Sequence, residues 1–174
     1  MNAFILMLPF FFVRLIVLPV RNRAASSRAA ESAPLYTGGE KFAGNLYQLT
    51  SVAIFIYPVL MRVEFDFSWQ LWLGAVLYVL GIVLLTASVI AFANPDGQGM
   101  VAGGIYRFSR NPMYISYFLT FLGITALTKS PMLLSLTLVN QLSVHWVILA
   151  EERMCVDEFG EDYKQYMQRV RRYI

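Results

Sequence analysis

The sequence is short of the residues that build most familiar reactive centres. It holds one cysteine, Cys155, and one histidine, His145, in 174 residues. A lone cysteine excludes an internal disulfide. Neither C-x-x-C nor H-E-x-x-H occurs, so a metal centre would draw on a very small pool of ligands, and no metal is expected. Charge is scarce as well, at 14% of residues where a soluble domain carries about 25%. With 57% hydrophobic residues and positive mean hydropathy, there are too few charges to cover a core, and lipid must solvate much of the surface. The net charge of +3 is modest, and its basic residues flank apolar runs rather than interleaving with exposed aromatics. Nucleic acid is therefore not an expected partner.

What is present is apolar sequence in long runs. Crossing a hydrocarbon core near 30 Å takes roughly 20 residues at about 1.5 Å each. Five runs come close: Asn2–Val20, Asn45–Val63, Leu71–Ala93, Pro112–Leu127 and Pro131–Ala150. The expected fold is all-α and polytopic, with about five transmembrane helices. The fourth run is short, and only Thr128–Ser130 joins it to the fifth, which predicts a tight antiparallel hairpin. Ser130 before Pro131 suits a helix start, because the hydroxyl can cap and proline needs no N–H there. The first connection, Arg21–Ala43, reads as polar with one short surface helix. The third, Asn94–Gly104, carries Pro95, Gly97, Gly99, Gly103 and Gly104 and cannot continue a helix. The chain divides into three N-terminal spans, residues 1–93, and a hairpin with a cytoplasmic tail, residues 94–174.

Lys and Arg set the expected orientation. Eleven fall in the first and third connections and after the last span, against Arg62 and Lys129 alone in the other two, with Arg14 inside the first run. The N-terminus is expected outside and the C-terminus in the cytoplasm. The first run has no basic residue before it, so a retained anchor is expected rather than a cleaved signal.

The segment richest in chemistry is Gly103–Tyr114, GGIYRFSRNPMY. Asn111 is a candidate N-cap and Pro112 suits the first helical position, so a helix start with its positive dipole end should face the glycine-rich connection. Arg107 and Arg110 add positive charge, and a carboxylate or phosphate would be well held there. Ordinary capping plus positive-inside arginines explains the same residues. A second cluster, Glu151–Glu152, ends the fifth run. Helical spacing aligns Gln141, His145, Ile148 and Glu152, with Asn140, Val144, Val147 and Glu151 beside them. This polar stripe should face a cavity or another helix, or else Gln141 and His145 simply bond between helices. Beyond it, Cys155, Phe159, Tyr163, Tyr166 and Val170 form an apolar stripe interrupted at Gly160, opposite Asp157, Glu161, Lys164 and Gln168. Such a tail lies against the membrane or folds over the hairpin.

Taken in order, G-x-Y-R-x-x-R-N-P-M-Y, an apolar hairpin, E-E and F-G-E-D-Y-x-x-Y resemble the isoprenylcysteine carboxyl methyltransferase and phospholipid methyltransferase superfamily, over Gly103–Val170. That group usually has R-H-P where Arg110-Asn111-Pro112 stands here. Asn111–Tyr114, Leu122-Gly123 and Ser130-Pro131 are similar to the phospholipid N-methyltransferases, and the tail Phe159–Tyr163 to the isoprenylcysteine branch. The latter tends to carry an arginine near the glutamates, where this chain offers His145. The resemblance implies S-adenosylmethionine as cofactor, with Gly104, Tyr106, Arg110, Asn111, Pro112, Tyr114, Glu151 and Glu152 as cofactor-binding positions. It also implies an apolar or lipid-like acceptor drawn from the bilayer. Glu152 or His145 would act as base toward an amine or hydroxyl, and Arg110 would position a carboxylate acceptor.

Two other readings compete. Membrane sterol and steroid reductases share a similar R-H-P-x-Y element but use a nicotinamide cofactor; the adjacent glutamates and the short tail favour methyl transfer. A small transporter or scaffold subunit would use the polar stripe as a path, and leaves the clustering of motifs at one membrane face unexplained. The orientation is directly testable. Green fluorescent protein fused after Ile174 should fluoresce and alkaline phosphatase fused there should stay inactive; the opposite pair of results reverses the topology.

Overall fold

In the computed structural model the described residues are 1–31, 36–95 and 99–173, without the side chains of 28–31; the expected turn glycine Gly97 lies outside them. Regular structure among these residues is helical, apart from one isolated antiparallel bridge between Asn2 and Arg62. Four helices are long and apolar enough to cross a membrane: α1 (Ala3–Arg21), α3 (Glu40–Leu60), α4 (Trp69–Phe92) and α6 (Pro131–Arg169). The short α2 (Arg23–Glu31) is the surface helix expected in the first connection. The run expected as a fourth of five spans is α5 (Pro112–Thr128), an apolar helix of 17 residues. At 1.5 Å per residue it covers about 25 Å, short of a full hydrocarbon core. Lipid solvation fits the outer faces, where Trp72, Val76, Val79 and Val83 of α4 are all exposed.

The expected tight turn joins α5 to α6, and Thr125 meets Thr137 between them at 3.4 Å, but the main packing pairs are others. Although α5 and α6 are joined by a turn with Lys129 in the left-handed region (φ 50°), each takes another helix as its main partner. α5 packs along α4 because glycines let the backbones meet. A Cβ on Gly123 would stand 2.5 Å from the Tyr78 nitrogen, and one on Gly81 2.5 Å from the Thr120 nitrogen. Small residues serve this purpose in lipid, where burying apolar surface drives nothing. α6 packs along α3, fastened by Asn140, whose Nδ2 donates to Thr50 Oγ1 (3.0 Å), Ser51 Oγ (2.9 Å) and the Tyr47 carbonyl (3.2 Å). The bond between helices thus comes from the stripe next to Gln141 and His145, both of which are only half-buried.

α1 closes the bundle through aromatic rings. Phe10 lies 5.2 Å from Tyr117, 5.4 Å from Phe121 and 5.7 Å from Phe55, centroid to centroid, joining α1, α3 and α5. The helix widens into a π-turn at Val13–Val17, where the Leu18 N–H reaches back to the Val13 carbonyl. Pro19 lies just beyond; a proline ring crowds the carbonyl four residues earlier, and a wider turn relieves it.

Cross-links gather one end of the bundle. Asn22 Nδ2 donates to the Ala93 carbonyl at 3.0 Å, tying α1 to the end of α4, and Arg153 Nη1 donates to Glu40 Oε1 at 2.8 Å, tying α6 to the start of α3. At the opposite end Lys129 pairs with Asp66, and that ammonium holds the Asp66 carboxyl well below the usual carboxylate range. Gly160, at φ 56° and ψ −126°, breaks α6 so that its last turns reverse across the gathered end.

The glycine contacts carry a stability prediction. Gly81→Leu forces α4 from α5 and should cost about 1–3 kcal/mol, the usual range for overpacking. Gly103→Ala, with nothing within 4 Å of the added carbon, should stay within about 0.5 kcal/mol. Unfolding in mild detergent checks both; equal effects would refute the close packing.

Candidate active site

Three chain segments converge at the gathered end: the short 3-10 helix Gly104–Arg107 with the residues leading into α5, the exit of α6, and the strap after Gly160. Proline fixes where α5 begins, since Pro112 occupies its first position. Asn111 stands at the N-cap position, but its side chain makes no capping bond, contrary to expectation. Its Nδ2 donates instead to the Arg172 carbonyl at 3.1 Å, because the returning strap offers an acceptor there.

α6 explains the position of the glutamates. Twenty residues from Pro131 carry it across about 30 Å, so Glu151 and Glu152 emerge at its exit. Glu152 is buried and gripped from two sides. Arg110 meets Oε1 through Nε (3.0 Å) and Nη2 (2.9 Å), and Arg172 meets Oε2 through Nε (3.0 Å) and Nη2 (2.9 Å). Four guanidinium N–H groups thereby fill the roughly four acceptor positions of a carboxylate. The clamp is asymmetric: the Arg110 side chain is 7% exposed and that of Arg172 31%. Arg110 has further duties, donating from Nη1 to the Met167 carbonyl (2.9 Å) and the Val170 carbonyl (3.3 Å). Its guanidinium is spent on Glu152 and the strap, and so is not open to an outside carboxylate. Arg107, the other expected anion-binding cation, is exposed beside the site.

The remaining expected residues divide into contacts and backbone devices. Tyr114 donates to Glu151 Oε1 at 2.6 Å, and its ring meets Tyr47 of α3 at 6.2 Å. Tyr106 is buried, and its carbonyl accepts from the Tyr166 hydroxyl at 2.7 Å. Burial pushes the Tyr106 hydroxyl well above its ordinary range. Gly104 adopts φ 57°, the left-handed turn that opens the 3-10 helix close to Ala91. His145 does not reach the glutamates; it lies two turns deeper on α6, its Nδ1 2.8 Å from the Tyr173 hydroxyl. The structure therefore brings Arg110, Asn111, Tyr106 and Glu152 together through the strap, Tyr114 and Glu151 directly, and His145 only by way of Tyr173.

Sequence reading missed Arg172 and Tyr173 as members of the site. The apolar stripe read as lying against the membrane or folding over the hairpin contains Tyr163 and Tyr166, both of which are buried, but it ends at Val170. Beside the clamp runs a cleft of about 500 Å³ lined by Glu152, Arg153, Asp157, Met167 and Arg172, among others. Acids, guanidiniums and methionines side by side suit a ligand that is charged at one end and apolar at the other.

Comparison with known proteins bears on the family of the chain. The sequence model of the phospholipid methyltransferase family matches residues 69–162. The protein-S-isoprenylcysteine O-methyltransferase of Xenopus laevis is 28% identical over 126 residues, covering 66% of this chain and 42% of that protein. Methanethiol S-methyltransferase 1 of Bradyrhizobium diazoefficiens is 33% identical over 66 residues, 38% of this chain and 22% of that protein. The chain thus spans less than half the length of either relative. No solved structure matches.

Removing one side of the clamp tests its weight. Arg110→Ala leaves a buried carboxylate half-paired, a change that costs about 3–5 kcal/mol. It should also open residues 161–173 to limited proteolysis. Arg110→Lys cannot restore the forked contact. Unchanged stability and protease resistance would show that the strap is held by something else.

Proposed function

The chain belongs to the phospholipid methyltransferase family, and on that premise we propose that it moves a methyl group from S-adenosylmethionine to an apolar or lipid-like acceptor at the clamped end of the bundle. The observation that carries this is Glu152 between Arg110 and Arg172, bordering a cleft of about 500 Å³. That volume falls within the range of small-molecule sites, about 300–1,000 Å³, and the donor set suits the cofactor's charged and polar groups. Glu152 and Asp157, which both line the cleft, would accept from its ammonium and ribose hydroxyls, and Arg172 or Arg153 would meet its carboxylate. The more exposed Arg172 is the partner that would yield Oε2, while Arg110 keeps the carboxylate aimed. Gly104, Tyr106, Asn111 and Pro112 would shape the wall behind it, and Tyr114 would fix Glu151 beside it.

When bound, S-adenosylmethionine supplies a methyl group on a sulfonium, transferred by in-line displacement as the acceptor lone pair bonds to carbon and the carbon–sulfur bond breaks. The protein's work is then alignment and exclusion of water, from which most of the barrier lowering can come. The strap supports both tasks, since residues 161–173 roof the site through Tyr166, Arg172 and the bonds to Arg110. The names of the relatives span a phospholipid, an isoprenylcysteine and methanethiol. For a thiol or amine acceptor, His145 is the group we assign to take a proton, because its contact with Tyr173 orients the ring while Glu152 would be engaged by Arg110 and the cofactor. We further propose that α5 completes a fifth, short crossing and that the clamped end faces the cytoplasm, the side on which basic residues concentrate.

Ligand-induced stabilisation tests the function. S-adenosylhomocysteine should raise the apparent stability of the solubilised protein by about 2.7 kcal/mol at a hundredfold excess over Kd, and NADPH should not. Glu152→Gln and Tyr114→Phe, if folded, should weaken that binding tenfold or more. A shift with NADPH alone would contradict the proposal.

A further inference from the structure

Arg14 is a charge in an apolar place that nothing so far employs. It sits inside α1, seven residues before Arg21 at the helix end, or about 10 Å along the axis. An ionisable side chain at such depth is costly, and it is retained where it faces a partner or a pathway. The contacts of Arg14 are soft. Nη1 lies 3.6 Å from Met113 Sδ, and the guanidinium stands 5.8 Å over the Tyr117 ring. Among the described residues no carboxylate forms an ion pair with it. A thioether and an aromatic face satisfy little of a group with five N–H donors.

Its placement relates it to the reacting end. Met113 and Tyr117 flank Tyr114 on α5; the Tyr117 ring meets that of Tyr114 at 5.8 Å, and Tyr114 holds Glu151. The buried Tyr106 hydroxyl feels both charges: burial raises its pKa most, Glu151 pushes the same way, and Arg14 opposes. Arg14 and Glu151 therefore act on one aromatic cluster. The π-turn Val13–Val17 carries Arg14, and its neighbours Leu15 and Ile16 are 69% and 50% exposed, so this turn borders lipid. A bilayer-dissolved molecule approaching this turn would come to Arg14 sideways. A water-soluble cofactor meets the Arg110–Glu152–Arg172 clamp first. Arg110, the cation expected to position an anionic acceptor, is spent on that clamp.

Resting on the methyl-transfer function above, we propose that Arg14 is the acceptor-binding cation: it holds an anionic oxygen group, carboxylate or phosphate, of a membrane-dissolved acceptor and orients that acceptor toward Tyr114 and Glu151. Guanidinium binds both groups in the same forked manner. A neutral amphiphile of equal chain length gains nothing from it.

The test compares dodecanoate, dodecyl phosphate and dodecanol binding to the full chain in nanodiscs of zwitterionic lipid. Wild type should bind at least one of the two anions tenfold or more tighter than the alcohol, and the tighter anion identifies the group. Arg14→Met and Arg14→Gln should bring anion and alcohol to parity, Arg14→Lys should keep part of the preference, and all three should retain the thermal shift with S-adenosylhomocysteine. Parity in wild type overturns the proposal without any variant. So does a preference that survives in both neutral variants, or loss of the S-adenosylhomocysteine shift in a folded Arg14→Met protein, which would place Arg14 on the cofactor. A wild type that prefers the anion but shows no S-adenosylhomocysteine shift would sink the methyl-transfer function and leave Arg14 as an anion site.

Discussion

Everything at the chemical end of this protein depends on one buried carboxylate held between two guanidiniums. Glu152 sits at the exit of a membrane-length helix, Arg110 just before the start of another, and Arg172 on a strap that returns after a glycine break. The Arg110 N–H also donates to the Arg171 carbonyl at 3.0 Å, so the strap is tied to the entry segment through the backbone as well. A buried charge left alone is costly, whereas a charge with its hydrogen bonds filled is tolerated. The clamp therefore acts as a latch: loss of a guanidinium with nothing in its place leaves the buried carboxylate half-paired.

The bundle is built to present that latch. In lipid, helices associate through close packing and occasional polar bonds, and both devices appear here in separate pairs. Glycines 74, 81 and 123 bring α4 and α5 to backbone contact, and Asn140 fastens α6 to α3. The pairs are then joined through the aromatic cluster of Phe10, Phe55, Tyr117 and Phe121. As a consequence Tyr47 of α3 borders the same site as Tyr114 of α5, although sequence alone assigned the pocket to the C-terminal half.

What was legible in the sequence follows from what is periodic or conformationally forced. Apolar runs mark helices whether or not their partners are known. Pro112 and Pro131 each begin a helix, and the Ser130 hydroxyl caps the second by accepting from the Leu133 N–H. Gly160 marked an interruption and Tyr163 and Tyr166 an apolar stripe, while the choice between lying against the membrane and folding over the hairpin stayed open until the packing decided it. Other features have no local signature. Arg172 is one of several basic residues after the last apolar run, and only a backbone reversal brings it to an acid 20 positions earlier. Asn111 looks like a cap until a strap carbonyl competes for its side chain. Asn140 and Gln141 are consecutive and point about 100° apart on the helix, and which of them bonds α3 depends on how the helix is turned in the bundle. The helix partners α5–α4 and α6–α3 are likewise long-range facts that a short connecting turn misrepresents.

We propose that a charged cofactor is gripped between the segment that leads into α5 and the latch at the end of α6. Ultraviolet cross-linking of methyl-tritiated S-adenosylmethionine to the protein in native membranes, followed by peptide mapping, tests it most directly. Label is expected within residues 104–114 or 150–173, displaced by unlabelled S-adenosylhomocysteine. Displaceable label confined to α1, α3 or α4, or no displaceable label at all, would contradict it.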